Sequence, residues 1–168
     1  IVSPSASCAG FIRNNYGKLF ENNAFQSPAK KVSSQIFELS EFLVKILGIT
    51  DLGASFNGKA TYHDSCAGLR ECHIKAEPRA LLSQVNGLEL VEMNDNETCC
   101  GFGGSFAVKY DTISVAMADQ KIDNAVATEA EYIISTDMSC LMHIDGRINH
   151  NGQKIKVIHL ADVLASGY

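Results

Sequence analysis

No stretch of this sequence approaches the roughly eighteen consecutive apolar residues that a membrane-crossing helix needs, so membrane contact would have to come through a partner. Its 14 Lys and Arg are intermixed with 19 Asp and Glu, for a net charge of −5. No basic cluster leaves the electrostatic footprint of a nucleic-acid binder, and the expected partners are proteins or small molecules. There is no Gly-Lys-Ser/Thr and no complete dinucleotide fingerprint, which argues against reading Gly101, Gly103 and Gly104 as a phosphate loop. No leader of positive charge followed by an apolar run opens the chain, and the cysteines are irregularly spaced. A reducing, cytoplasmic setting is therefore the expectation.

What is present is an apolar fraction of 46% over 168 residues, enough for one sizeable core and one domain. Six cysteines stand in the chain, two of them adjacent in the run Cys99-Cys100-Gly101-Phe102-Gly103-Gly104. Adjacent Cα atoms lie only about 3.8 Å apart, below the roughly 4.4 to 6.8 Å of an unstrained disulfide, so the pair is not built to bridge itself. Two soft ligands arriving together, with glycine letting the backbone come close, suit a metal ion or an iron-sulfur cluster.

Short apolar segments recur at Ile1-Val2, Ala60-Thr61-Tyr62, Leu88 to Met93, Tyr132-Ile133-Ile134 and Ile155 to Ile158, each leading into a polar turn and a helical pattern. This alternation predicts an α/β fold in three layers, a largely parallel sheet flanked by helices. One apolar stripe, Val32, Ile36, Leu39, Leu43, Ile46 and Leu47, predicts a helix that stops before Gly48; a second runs Ile113, Met117, Ile122, Ala125 and Val126. Both read as core-facing surfaces covering the sheet.

Residues 1–12 align without gaps on residues 133–144, with Ile, Ser, Ser, Cys and Ile coinciding and Cys8 falling on Cys140. The repeat predicts that the chain opens inside the closing strand of a first unit whose remainder is missing here.

Cys8, Cys66, Cys99-Cys100 and Cys140 each fall a few residues beyond the carboxyl end of an expected strand. In an open parallel sheet that edge is where ligand crevices form. Between Cys66 and Cys99 lie 32 residues, and between Cys100 and Cys140 lie 39, spacings that βα units fold back to a single rim. Cys140 also precedes an expected helix, whose positive terminus would favour its thiolate.

The segments Tyr62-His63-Asp64-Ser65-Cys66, Glu97-Thr98-Cys99-Cys100-Gly101-Phe102-Gly103-Gly104-Ser105-Phe106 and Thr136-Asp137-Met138-Ser139-Cys140 together resemble the cysteine-rich CCG domain family. That family includes iron-sulfur subunits of lactate utilisation and glycolate oxidation and the catalytic subunit of heterodisulfide reductase. The likeness is strongest to the lactate-utilisation branch, which has two such units. On this resemblance residues 58–168 form the second unit, residues 1–12 the end of the first, and residues 13–57 a helical connector. It implies Cys66, Cys99, Cys100 and Cys140 as ligands of a [4Fe-4S] cluster, with four-coordinate zinc as the alternative. Cys8 corresponds to the last ligand of the first unit.

The resemblance further implies an oxidoreductase subunit that passes electrons for oxidation of L-lactate or a related 2-hydroxy acid, alongside other subunits of a lactate or glycolate oxidation complex. Where the family's fullest form continues Cys-x-x-Cys, this chain reads Cys140-Leu141-Met142-His143. The missing cysteine counts against a thiol-disulfide enzyme of the heterodisulfide reductase kind; a structural zinc module for assembly is the third reading.

Other residues invite weaker readings. Gly101, Gly103 and Gly104 suit a nest of amides facing cluster sulfides. His63 can hydrogen-bond a cluster sulfur or simply cap the strand end. His143, three residues past Cys140, can replace the absent cysteine or stand apart as an ordinary histidine. Arg70 can offset cluster charge or form a surface ion pair. Cys72 falls outside the motif and reads as a core or surface thiol.

Overall fold

The computed structural model describes residues 1–167, and among them every strand pairing is parallel. The chain opens with β1 (Val2–Ser3), α1 (Ala6–Leu19), α2 (Gln26–Ser34), β2 (Phe37–Glu38) and α3 (Leu39–Glu41), which runs on into a π-helical turn, Phe42–Ile46. β3 (Ser55–Tyr62) follows, then a second π-helical turn at Gly68–Cys72, α4 (Ala76–Leu82), β4 (Asn86–Leu90), α5 (Ser105–Lys109) and α6 (Asp111–Val126). The chain ends through β5 (Tyr132–Ser135), α7 (Met138–Asn151), β6 (Lys156–His159) and α8 (Leu160–Leu164). No helix among the described residues is long and apolar enough to cross a membrane.

The main sheet has the order β4-β3-β5-β6. Alternation along β5 sends Ile134 to one face, with Ala60, Tyr62, Leu81, Leu82, Leu160 and Val163, and Ile133 to the other, with Ile122, Ala125, Ile144 and Ile148. The two apolar layers cover both faces, and each fully buried Leu or Ile in them contributes about 1.5–3 kcal/mol. The three-layer α/β architecture expected from the sequence is the one observed.

Because α4 leaves β3 on one face and α7 leaves β5 on the other, the strand order switches between β3 and β5. In such sheets a crevice opens beyond the carboxyl ends of the two diverging strands. Pairing continues one residue past β3, where the His63 amide donates to the Ile134 carbonyl at 2.8 Å and the Ser135 hydroxyl to the His63 carbonyl at 3.0 Å.

Two sequence expectations need correction. The stripe Val32 to Leu47 is not one helix: α2 stops at Ser34, and Phe37–Glu38 pairs with Val2–Ser3 as β2. The buried Glu38 carboxylate starts the next helix by accepting from the amides of Ser40 (2.7 Å) and Glu41 (3.2 Å). Arg13 on α1 locks this turn through the Ile36 carbonyl (2.9 Å) and the Glu41 carboxylate (2.6 Å), while Ile46 and Leu47 stay half exposed.

The second stripe is out of phase at both ends. Ile113 and Val126 are exposed, and the inward face of α6 is Ser114, Ala118, Lys121, Ile122 and Ala125.

The two ends of the chain share a layout. β1 leads into α1 as β5 leads into α7, and β2 leads into α3 as β6 leads into α8. At the second junction His159 Nδ1 accepts from the Ala161 amide, as Glu38 accepts from Ser40. Cys8 and Cys140 are each the third residue of their helices.

Candidate metal centre

Beyond β3, His63 is fully enclosed, Asp64 and Ser65 are buried, and Cys66 is half-buried. Asp64 is fixed by two hydrogen bonds from Arg79 (3.0 and 2.7 Å); Arg79 also grips Glu92 (2.5 and 2.9 Å) and lies over the Tyr62 ring at 4.9 Å. Ser65 accepts the Gly68 amide at 3.1 Å and so sets the turn that follows Cys66.

The Cys99-Cys100-Gly101 loop is clamped by α6. Gly101 has φ +91°, and a Cβ there would stand 2.5 Å from the Ser114 carbonyl oxygen, so the chain can turn this close to the helix only with glycine. The Ser114 hydroxyl donates to the Gly101 carbonyl at 2.8 Å, and the Gly101 amide points back at Cys99 Sγ at 3.4 Å. With its one proton committed, Ser114 Oγ can only accept from His143 Nε2 at 3.2 Å, which makes Nε2 the protonated nitrogen. His143 thus supports the loop from behind, its ring 5.9 Å from that of Phe102.

Cys140 enters from the first turn of α7 and is buried, as is Cys100. The donor atoms of His63, Cys100 and Cys140 all lie within 4.8 Å of one another. That is near the ~3.8 Å edge of a tetrahedron with 2.3 Å metal-sulfur bonds. Both ring nitrogens of His63 are buried without a hydrogen-bond partner. A buried imidazole left unpaired is costly, and a metal centre at this point resolves the cost, so the residues fit such a group.

The remaining motif cysteines lie near enough for their charges to be felt at this group. Burial, followed by the charges of Cys99 and Cys100, pushes the Cys66 thiol up, and Cys140 feels Cys66 in turn. The hydrogen bond from Cys140 pulls Cys100 down to about 4 against the opposing effect of burial, with the His63 ring helping. That bond, and burial after it, drives Cys140 up. Cys100 is thus the more acidic member of the pair and Cys140 the less acidic one. The expected thiolate at the α7 terminus is therefore overridden by its neighbour, the helix dipole supplying only about 0.3–1 kcal/mol.

The other candidates stand apart. Cys8 is exposed on α1, Cys72 is buried with its thiol donating to the Ala6 carbonyl at 3.3 Å, and all six cysteines are free thiols. Arg70 is exposed. Gly103 and Gly104 have positive φ and lead into α5.

Sequence reasoning missed Ser114 and Lys121, which α6 turns toward the cysteine loop. The signal was there for Lys121, which sits four residues after Met117 and four before Ala125, inside the apolar stripe.

Comparison with known proteins agrees with this geometry. A family model described as a cysteine-rich domain, CCG, matches residues 60–145, a span that includes His63, Cys66, Cys99, Cys100 and Cys140. The chain is 42% identical over 166 residues to the uncharacterized protein YkgE of Escherichia coli K12, covering 99% of this chain and 70% of that one. It is 45% identical over 168 residues to lactate utilization protein A of an Exiguobacterium species, covering 99% and 68%. To lactate utilization protein A of Oceanobacillus iheyensis it is 40% identical over 165 residues, covering 98% and 67%.

Proposed function

Because the chain belongs to the cysteine-rich CCG domain family, we propose that it is an iron-sulfur electron-transfer subunit of a system that oxidises L-lactate or a related 2-hydroxy acid. The observation that carries this reading is the meeting of His63, Cys100 and Cys140 beyond the ends of β3 and β5, with Cys66 and Cys99 near enough for their charges to be felt there. The four thiols would hold a [4Fe-4S] cluster, which when bound supplies one-electron transfer. His63, with no other partner, is free to donate an N–H to a thiolate ligand. The Gly101 amide donates toward Cys99, and Ser114 and His143 hold the loop in that pose. The positive φ of Gly103 and Gly104 suits a turn whose free amides would face the same centre.

Chemistry on the hydroxy acid belongs to partner subunits in this reading, and the chain works in the cytoplasm. Residues 58–168 act as one CCG unit and residues 1–12 as the end of another, a division supported by the shared strand-helix layout and the matched places of Cys8 and Cys140.

A second reading is favoured by one observation: His63, Cys100 and Cys140 are close enough to share a single ion, which suits zinc. Anaerobic purification followed by iron, acid-labile sulfide and zinc analysis separates the two. Iron and sulfide in equal amounts, lost on Cys66→Ser, support the cluster; zinc that survives Cys66→Ser but not His63→Ala supports the single ion.

A further inference from the structure

Lys121 is only 1% exposed, yet among the described residues no carboxylate lies within ion-pair distance of it. Its ammonium donates to two main-chain carbonyls, those of Asp95 and of Asn96 (3.2 Å for the latter), at the start of the loop that carries Cys99 and Cys100. Carbonyl dipoles satisfy its protons but leave its charge unbalanced. Taking an ammonium out of water costs several kcal/mol unless an anion answers it.

The geometry of α6 shows where that anion would be. Ser114, Met117 and Lys121 lie on one helical face, three and four residues apart, and the first two pack directly on Gly101. Lys121 is the next position along, facing the base of the same loop. The negative groups it senses are Cys100, Asp95, Asp64 and Cys99, and they oppose the lowering of its pKa by burial. Asp64 is already answered by Arg79, and Asp95 is exposed, where water screens its charge. That leaves the cysteine loop as the unanswered negative charge.

We propose that the Lys121 ammonium is the buried counter-charge of the metal-thiolate centre, stabilising its more negative state while anchoring the loop that bears Cys99 and Cys100. The inference rests on the metal centre put forward above. A centre held by several thiolates carries net negative charge, and reduction adds more, so a fixed cation nearby raises the reduction potential and favours the thiolate complex over protonated thiols.

Lys121→Gln tests it, because the amide keeps donors for the two carbonyls and drops the charge. In anaerobically reconstituted chain the variant is expected to keep its iron and sulfide while the reduction equilibrium falls about tenfold, ~59 mV for a one-electron couple. An unchanged midpoint at full iron content overturns the assignment and makes Lys121 a loop clamp only. If the chain holds zinc instead, affinity for zinc is the readout, expected to fall about 10–100-fold, and an unchanged affinity overturns the assignment.

Should Lys121→Gln fail to fold, Lys121→Arg, which keeps charge and donors, is expected to retain the wild-type midpoint, and a fall of the size expected for Gln overturns the assignment. A wild-type chain that holds no metal refutes the metal centre itself and this inference with it; a loaded wild type with an indifferent Gln variant refutes this inference alone.

Discussion

Across 130 residues of chain, Asp137 accepts hydrogen bonds from both the amide (3.1 Å) and the hydroxyl (3.2 Å) of Ser7. Ser139 donates to the same carboxylate at 2.7 Å. Ser7 and Ser139 are equivalent positions of the repeat, so one carboxylate ties the first turn of α1 to the turn that delivers Cys140.

Asp137→Ala is expected to cost about 1 kcal/mol, since it leaves the part-buried donors of Ser7 and Ser139 without their acceptor. The readout is denaturant unfolding of the metal-free chain. An unaltered midpoint would mean that the two turns are held by packing alone.

The two roles of His63 can be separated. His63→Leu removes two buried nitrogens and, with them, the ring's support of the Cys100 thiolate, so the stability of the metal-free chain is expected to change little. Metal affinity is expected to fall about 10–100-fold. A variant destabilised without metal and unchanged in affinity would make His63 a structural residue.

Gly101→Ala forces a side chain onto the Ser114 carbonyl in a left-handed backbone. Strain of about 1–3 kcal/mol is expected, with loss of metal loading in proportion. Ser114→Ala should act more mildly, leaving the Gly101 carbonyl and His143 without their shared partner.

The thiol pair sets a pH dependence for the metal-free chain. Cys100 is depressed to about 4, so its contribution to stability is present above the ordinary thiol value of 9.0 and is lost as pH falls through about 4. Cys140 is raised, so its contribution is present below the ordinary thiol value and is lost as pH climbs above it. Ultraviolet thiolate absorbance should show one ionised thiol at neutral pH, abolished by Cys100→Ser. No thiolate at neutral pH in the wild type would contradict the assignment.

Much of this was legible in the sequence, and the failures share a cause. The strands leading to Cys66 and Cys140 were readable because β-branched residues mark them and glycine and polar turns bound them. β2 was hidden because Phe37–Glu38 is too short to break a helical period, and only its pairing with β1 and the Glu38 cap reveal it. The phase of α6 was misjudged because a buried serine and a buried lysine lie on its inner face, where periodicity looks for apolar residues. Those two polar positions serve the cysteine loop. The strand-end spacing of the cysteines anticipated that Cys100 and Cys140 would come together; that His63 would meet them depended on where β3 and β5 diverge, which no local pattern records.

Whether these cysteines hold a redox-active iron-sulfur centre is tested most directly by electron paramagnetic resonance of the anaerobically purified chain, before and after chemical reduction. A signal that changes on one-electron reduction and disappears in Cys100→Ser is the expected result. A spectrum silent in both states, from chain carrying stoichiometric zinc and no iron, would contradict it.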